Sequence, residues 1–282
     1  MKIFKYLAIA LFALTMVSCS DDEPKSNFTR QFNMVFPQHP AGHKKISKIE
    51  KTDAKGTTIV ATADYDGDHL TKVKVVTNYA TGGNNEETIH FDYTNGAIIC
   101  DKSIQDVTYS FEVNGSGAIT QLKNVSTGRT AASLQYTYSN ELEMAQISTP
   151  SSSDVTKVAW LNGNIMQWAS TGVNKKDSVV YEYGLSAPLN KGCIDLVGNE
   201  SFTFTIFVCA IMRNAGLFGA TSAYLPTVIK KDYDYTQVNE TTPPGTIELK
   251  RYNITYEFDA DGYVTSYTTN ESPKYTVKIT YK

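Results

Sequence analysis

Hydrophobic and polar residues alternate along most of the chain, in short runs separated by turns rich in glycine and asparagine. The clearest unit is 88–102, where TIHFDYT and AIICDK flank Asn95-Gly96, a dipeptide typical of tight β-hairpins. Comparable turns are predicted near residues 67, 95, 115, 140, 163 and 261. An alternation of period two buries one face of each strand. The pattern therefore predicts an antiparallel meander of successive hairpins.

Aromatic residues two positions apart recur in these strands, namely Phe91 and Tyr93, Tyr136 and Tyr138, and Tyr181 and Tyr183. Side chains alternate across a strand, so both rings of each pair lie on one face. Apolar residues occur on both faces of several strands, so the sequence does not say which face points inward. A long meander limits its exposed edges by curling. We therefore expect an all-β fold, an open, soluble β-barrel-like sheet forming one domain over residues 32–282.

One segment interrupts the hairpins. SFTFTIFVCAIMRNAGLFG (201–219) contains eleven mostly apolar residues, 202–212, without a turn signal. We interpret it as a helical insertion near 202–216, with the helix from about residue 203 to 215 and a glycine at its C-terminal end. Such a helix would pack into the mouth or open side of the sheet. The Thr, Phe, Val and Ile content of the segment also fits a buried strand.

The first residues have the pattern of an export signal. Lys2 and Lys5 precede an apolar run of 11 residues, 7–17, which is too short to span a bilayer. The run leads into the tripeptide VSC, which ends at Cys19 and resembles a bacterial lipobox. That resemblance implies a lipoprotein signal peptide at 1–18 and a diacylglycerol thioether on Cys19. An ordinary secretory signal with an accidental cysteine is the alternative.

An acidic cluster follows Cys19. Asp21, Asp22 and Glu23 resemble the export signal that sends Bacteroidetes lipoproteins to the cell surface. Residues 19–31 are polar, and we interpret them as a flexible acidic tether. We expect a lipid-anchored outer-membrane protein at the cell surface, with the periplasmic face as the second choice. A solvated tether without any export role is the alternative.

The net charge limits the partners that the chain can bind, and the cysteine content limits its disulfide bonds. Without residues 1–18 the chain has 24 basic and 29 acidic residues, a net charge of −5, and no basic cluster. Phosphate neutralisation needs grouped Lys and Arg, so we predict no nucleic-acid partner. Three further cysteines, Cys100, Cys193 and Cys209, form no CxxC motif. Buried free thiols are the preferred interpretation, and one disulfide in an exported protein is left open.

No motif indicates catalysis, a metal site or a cofactor. The acidic segment 64–68 does not have the glycine and the glutamate at the positions that an EF-hand loop requires. We therefore interpret it as a turn formed by Asp and Gly residues, and we interpret 259–262 in the same way. His39 and His43 are separated by proline and glycine, with no further ligand nearby. No GxSxG occurs, and no cysteine has a histidine partner by spacing. We therefore predict a non-enzymatic protein.

Three features together indicate a family. They are Cys19 with its acidic cluster, the hairpins with Tyr-x-Tyr strands, and the block GLFGATSAYLPTVIKKDYDYT (216–236). With them the chain resembles, over roughly residues 45–282, the Bacteroidetes cell-envelope lipoproteins grouped as domain of unknown function 4595. The resemblance implies a porin-like fold, an open β-barrel-like sheet with helical elements, and no established activity. A membrane pore is not expected, because the strands are short and carry charge between their aromatic residues.

Two functions fit these features. The first is a lipid-anchored binding module that holds a hydrophobic, lipid-like ligand or a glycan in an aromatic-lined concavity beside the helix. Its candidate lining residues are Trp160, Trp168, Phe204 and Phe207. The second is a structural or partner-binding envelope lipoprotein, in which the aromatic residues fill the core. Separately, the tripeptide DSV at 177–179 resembles a Bacteroidetes O-glycosylation site, with the glycan on Ser178.

Overall fold

The structure is a computed structural model, and the residues it describes belong to one compact unit, Phe36–Lys282. The described residues are 43–94, 97–102, 107–125, 131–140, 142–150, 153–172, 175–194, 204–235, 246–270 and 275–282. Cys19, the predicted signal peptide and acidic tether, and His39 therefore lie outside the described residues. Within these ranges, none of the helical structure is long and apolar enough to cross a membrane.

The described ranges form sixteen β-strands and one α-helix. The strands are β1 (Ile46–Asp53), β2 (Thr58–Asp66), β3 (His69–Asn78), β4 (Asn84–Thr94), β5 (Ala97–Lys102), β6 (Val107–Val113), β7 (Ile119–Asn124), β8 (Ala131–Tyr138), β9 (Met144–Ser148), β10 (Val155–Leu161), β11 (Asn164–Thr171), β12 (Lys175–Glu182), β13 (Val228–Tyr235), β14 (Thr246–Phe258), β15 (Val264–Thr269) and β16 (Tyr275–Tyr281). The helix, α1, spans Ile206–Asn214.

Each strand pairs antiparallel with its neighbours in the chain, and β16 returns to pair with β1. In that seam Ile49 lies opposite Ile279, and Thr52 lies opposite Thr276. The predicted all-β fold with a short helix is confirmed, and the sheet closes fully where an open barrel-like sheet was expected. Closure removes both sheet edges. It depends on pairing between the two ends of the chain, which local alternation does not encode.

The hairpin turns near residues 67, 115, 140, 163 and 261 are confirmed, while the turn at 95–96 lies outside the described residues. The last of them shows how an acidic residue makes a turn. Asp259 Oδ1 accepts hydrogen bonds from the backbone N–H of Asp261 at 3.0 Å and of Tyr263 at 2.9 Å. This is the geometry of an Asx turn. The acidic segment 64–68 is likewise the end of β2 and its turn.

Successive turns alternate between the two ends of the barrel. We call one end the capped rim, which carries the turns at 67–68, 114–118, 139–143, 162–163 and 259–263. The other end, the opposite rim, carries the turns at 54–57 and 79–83. At the capped rim Lys45 and Lys282 exchange backbone hydrogen bonds of 3.2 and 2.9 Å. The chain therefore enters and leaves the barrel at the capped rim.

The connection between β12 and β13 carries α1. Thr205 caps its N-terminus, with Oγ1 accepting a hydrogen bond from Val208 N at 3.5 Å. The predicted helix is confirmed, and it begins three residues later than expected because the chain bends at Phe204 before this cap. The helix packs against β1, β2 and β3, and its residues 207–214 are buried. The alternative of a buried strand is thereby excluded.

After α1 the chain crosses the capped rim, and backbone hydrogen bonds join it to the rim at three places. The backbone hydrogen bonds are Ile119 N to Leu217 O at 2.8 Å, Ala220 N to Leu142 O at 2.8 Å, and Ala223 N to Gly163 O at 2.9 Å. At Gly219, φ is +74°, and a Cβ there would lie 2.3 Å from Leu142 O. Only glycine allows this close approach of the crossing segment to the β8–β9 turn.

The aromatic pairs point inward. Phe91, Tyr136 and Tyr181 are buried, and their partners two residues later pack against the same core. Several tyrosine hydroxyls near the capped rim donate to backbone carbonyls: Tyr65 to Ile46 at 3.0 Å, Tyr138 to Ile119 at 2.7 Å, Tyr183 to Ile165 at 2.8 Å, and Tyr256 to Pro226 at 2.6 Å. Each ring thus fills the core while its polar end stays satisfied.

Candidate functional site in the barrel lumen

A barrel of sixteen strands can enclose an aqueous channel, so the contents of the lumen decide what it can do. Here α1 and surrounding aromatic residues occupy part of it. Trp168 and Phe207 are each 4% exposed and Phe204 is 6% exposed. Trp160 is half-buried and donates from Nε1 to Met144 O at 2.8 Å. The four residues predicted to line a ligand site are all part of the packed core.

Arg213, in the last turn of α1, is a feature that sequence reasoning missed. The only signal for it is a single basic residue directly after the apolar run 202–212. Its side chain is almost fully buried, with Cζ 5.3 Å from the ring of Trp168 and 5.4 Å from the ring of Phe218. A cation is favourable at a helix C-terminus, and the two ring faces offset part of its desolvation. Arg213 therefore joins α1 to β11 and to the segment after α1 that crosses the capped rim.

Toward the opposite rim the inward-facing positions become polar. Lys102, the last residue of β5, pairs with Glu87 of β4 at 2.9 Å between Nζ and Oε1. These side chains are only 5% and 13% exposed. The ammonium group of Lys102 also lies 5.4 Å from the ring of Phe204, just before α1. Removing two charges from water costs free energy, and in a buried pair this cost is offset only when the two groups are in close, well-oriented contact.

We call the inward-facing residues on this side of α1 the polar half of the lumen. Those used below are Lys51, Glu87, Lys102, Lys231, Tyr252 and Tyr275.

Two lysines of the polar half lie over tyrosine rings on the neighbouring strand. Lys51 Nζ of β1 is 4.2 Å from the ring centroid of Tyr275 on β16. Lys231 Nζ of β13 is 5.5 Å from the ring centroid of Tyr252 on β14. Both lysines are half-buried, so they are partly accessible to solvent. Tyr275 is half-buried as well, whereas Tyr252 is 8% exposed. Each pair thus sets a partly accessible ammonium group beside an aromatic ring, which suits a ligand with a charged and an apolar part.

The three cysteines Cys100, Cys193 and Cys209 are buried and free, which confirms the preferred interpretation and excludes a disulfide among them. Burial raises the pKa of the Cys100 thiol above its ordinary range, because the thiolate would lose its hydration. Burial likewise raises the pKa of Tyr93 to about 12. Cys100 is therefore protonated at neutral pH and is a poor nucleophile.

The remaining residues singled out from the sequence lie away from the polar half. His43 is at the capped rim, where Nε2 is 3.0 Å from Asn214 O. Among the described residues, no group of three His, Cys, Asp or Glu side chains is arranged to hold a metal ion. Ser178 lies opposite Ala169 on β11 and faces outward, since the adjacent Val179 packs against the core. It is half-buried there.

The outward-facing positions of the wall are charged. Ion pairs join Lys72 with Asp64 at 2.5 Å and Lys123 with Glu112 at 2.6 Å. Both pairs are largely exposed and join neighbouring strands. The outer face of the wall thus carries charge where a lipid-facing barrel carries an apolar band.

Comparison with known proteins finds solved structures that resemble this barrel. No protein-family model matches the chain, and no curated protein matches it. The chain is similar to a porin-like protein from Bacteroides uniformis ATCC 8492, with a TM-score of 0.63 and 14% sequence identity over 84% of this chain and 96% of that chain. A porin-like protein from Bacteroides vulgatus ATCC 8482 has a TM-score of 0.49 and 14% identity, over 85% of this chain and 99% of that chain. The chain therefore shares its barrel fold with the porin-like protein of Bacteroides uniformis.

Proposed function

We propose that this chain is a lipid-anchored cell-envelope protein whose barrel is a non-enzymatic binding module. It binds a lipid-like molecule with a charged head group in the polar half of the lumen. The anchor is a lipid on Cys19, as the lipobox resemblance implies. The observation that carries the binding function is the pair of inward-facing lysines over tyrosine rings, Lys51 with Tyr275 and Lys231 with Tyr252.

The chemistry of these pairs supports an amphiphile. A negatively charged head group can meet the ammonium groups, while the apolar part lies against the tyrosine rings and the exposed edge of the aromatic core. Of the four aromatic residues first expected to line the site, Trp168 packs against Arg213 of α1 and so helps to hold the helix below the polar half. This moves the proposed site from beside the helix to the lumen beyond its N-terminal end.

The wall and the fold support the proposed location. A lipid-facing barrel presents an apolar band to the bilayer, whereas this wall presents ion pairs such as Lys72 with Asp64. We propose that the wall stands in water and that the lipid on Cys19 holds the protein to the outer membrane. The porin-like description of the similar Bacteroides protein supports an envelope location. The cell surface is the first choice and the periplasmic face the second.

A structural or partner-binding role is the second candidate. The dense packing of Trp168, Phe207 and Arg213 around α1 favours it, because a lumen filled by its own side chains needs no ligand. Membership of the lipoprotein family resembled by the sequence is compatible with either role. Glycan binding in the polar half is a variant of the first candidate, because tyrosine faces also stack on sugar rings.

Native mass spectrometry of the full-length protein, purified from membranes, tests the binding function. We expect a bound amphiphile that is released by organic extraction. In the Lys51→Ala, Lys231→Ala double variant it should be lost, because both ammonium groups are gone. The matched control is Lys157→Ala with Lys278→Ala, two exposed lysines on the outer face. A ligand-free mass in the parent protein, unchanged after incubation with envelope lipids and glycans, would favour the structural role.

Ser178 is the proposed O-glycosylation site. Its outward direction on β12 supports access for a modifying enzyme. We expect intact-mass analysis to show a glycan that disappears in Ser178→Ala. An identical mass for the parent protein and this variant would remove the proposal.

A further inference from the structure

Exposed apolar side chains are concentrated at one end of the barrel. Of the eight large apolar side chains that are exposed in the described part of the chain, five lie on the capped rim. We call them the rim patch: Leu161, Leu185, Leu189, Tyr224 and Phe258. Tyr79 and Val125 belong to the opposite rim, and Ile206 begins α1. Scattered exposed apolar residues are ordinary, but a cluster on one rim marks an interaction surface.

The rim patch lies within one arc of the capped rim. Leu161 ends β10 and Phe258 ends β14, and these strands are separated only by β11, β12 and β13. With neighbouring strands ~4.8 Å apart, the arc is about 20 Å wide. Leu185 and Leu189 follow β12 within it. The patch is therefore broad enough to rest on a flat surface.

Backbone hydrogen bonds hold the patch in position. Leu189 and Tyr224 form an isolated antiparallel bridge. Leu225 N donates to Pro188 O at 2.8 Å, and Tyr224 N donates to Asn164 Oδ1 at 2.9 Å. The exposed side chains thus stand on an ordered support, which reduces the entropy lost on docking.

The same rim receives the chain that leads back to Cys19. The described chain starts at His43, and Lys44 Nζ is held there by Asp259 at 2.8 Å and by Asp261 at 2.6 Å. The hydrogen bond from Lys44 is the main reason why the pKa of the Asp259 carboxyl lies below its ordinary range. Residues 20–42 separate this point from Cys19, and a chain of that length spans at most about 80 Å. A lipid on Cys19 is therefore tethered to the barrel at the capped rim, which lies within reach of the bilayer.

We propose that the rim patch docks on the phospholipid bilayer that carries the anchor, with its leucine and aromatic side chains in the interfacial layer. This inference rests on the proposed anchor at Cys19. Leucine and aromatic residues partition favourably into the interface of a bilayer. A tether also makes docking intramolecular, so a patch of modest area is sufficient. Docking orients the barrel with the polar half of the lumen away from the membrane.

Quenching of tryptophan fluorescence by brominated lipids tests this orientation in the full-length protein. The vesicles contain phosphatidylethanolamine and phosphatidylglycerol with brominated acyl chains, and the unsubstituted protein gives the background from Trp160 and Trp168. The reporter is Leu185→Trp, with Leu189→Trp as a second reporter. The matched control is Val125→Trp on the opposite rim, at a site about as exposed as Leu189. We expect loss of the added emission for both patch reporters and full emission for the control.

The outcomes separate docking from anchoring. If the protein floats with vesicles but neither patch reporter is quenched, docking is wrong and the anchor stands. Equal quenching of the control and patch reporters also overturns docking, because contact is then not oriented. If the peptide containing Cys19 has an unmodified mass and the protein does not float, the anchor is wrong. Quenching of the patch reporters on addition of vesicles would then still support docking, and its absence would overturn it.

Discussion

Single residues at the centre of the barrel carry charge in places where a hydrophobic core would be expected. Arg213 is stacked between Trp168 and Phe218, and Lys102 is paired with Glu87. Arg213 meets Trp168 of β11 across the lumen, whereas Glu87 and Lys102 lie on the neighbouring strands β4 and β5. Such residues stabilise the fold only while their surroundings stay intact.

Truncation of Arg213 tests its packing role. We expect Arg213→Ala to lower the free energy of unfolding by roughly 2–4 kcal/mol, because it removes a large buried side chain that fills the space between two rings. Urea denaturation followed by circular dichroism measures this. Arg251→Ala is the control, since that side chain is 59% exposed, and it should leave the midpoint nearly unchanged. Equal effects of the two substitutions would contradict the assigned role.

The Lys102–Glu87 pair permits a double-mutant cycle. Lys102→Met alone should destabilise the protein by about 3–5 kcal/mol, because it leaves the Glu87 carboxylate buried without its cation. The double variant Lys102→Met, Glu87→Leu should recover much of this loss. The exposed pair Lys123 and Glu112 gives the comparison, with little change for either single substitution. An additive cycle for the buried pair would show that the two side chains are not coupled.

At the scale of elements, local patterns and long-range pairings differ in how far they can be predicted. The hairpins and most of their turns follow from period-two alternation and from turn residues such as Asp259, which are local signals. The helix follows from an apolar run without turn residues. The inward face of each strand does not follow, because apolar side chains occur on both faces. The polar half of the lumen could not be predicted, because Lys51 meets Tyr275 only through the β1–β16 seam.

The segment that crosses the capped rim depends on one glycine. Gly219→Ala should be strongly destabilising, because it combines a positive φ with a Cβ 2.3 Å from Leu142 O. Gly82→Ala is the matched control, since φ is +94° but no atom lies within 4 Å of the added Cβ. The control should cost only about 1–2 kcal/mol, the penalty of a left-handed backbone. Thermal unfolding of the two variants, compared with the parent, distinguishes the contact from the backbone effect.

At the scale of the whole molecule, the barrel separates its thiols from solvent. We expect Cys100, Cys193 and Cys209 to resist maleimide labelling under native conditions and to react together after denaturation. Their burial and the raised pKa of Cys100 both act in this direction. Mass spectrometry without reductant counts the labels. Rapid labelling of any of the three in the native protein would contradict the closed, packed barrel.

The seam between β1 and β16 sets the order of events when the protein is made. The first and last strands of the barrel are partners, so no length of chain short of the final strand can complete the sheet. Such pairing over the full sequence makes folding slow. A polypeptide that stops before Tyr275 would present two long unpaired strand edges, which favour aggregation. Closure is therefore all-or-none, because the barrel cannot form before the residues of β16, Tyr275–Tyr281, have been made.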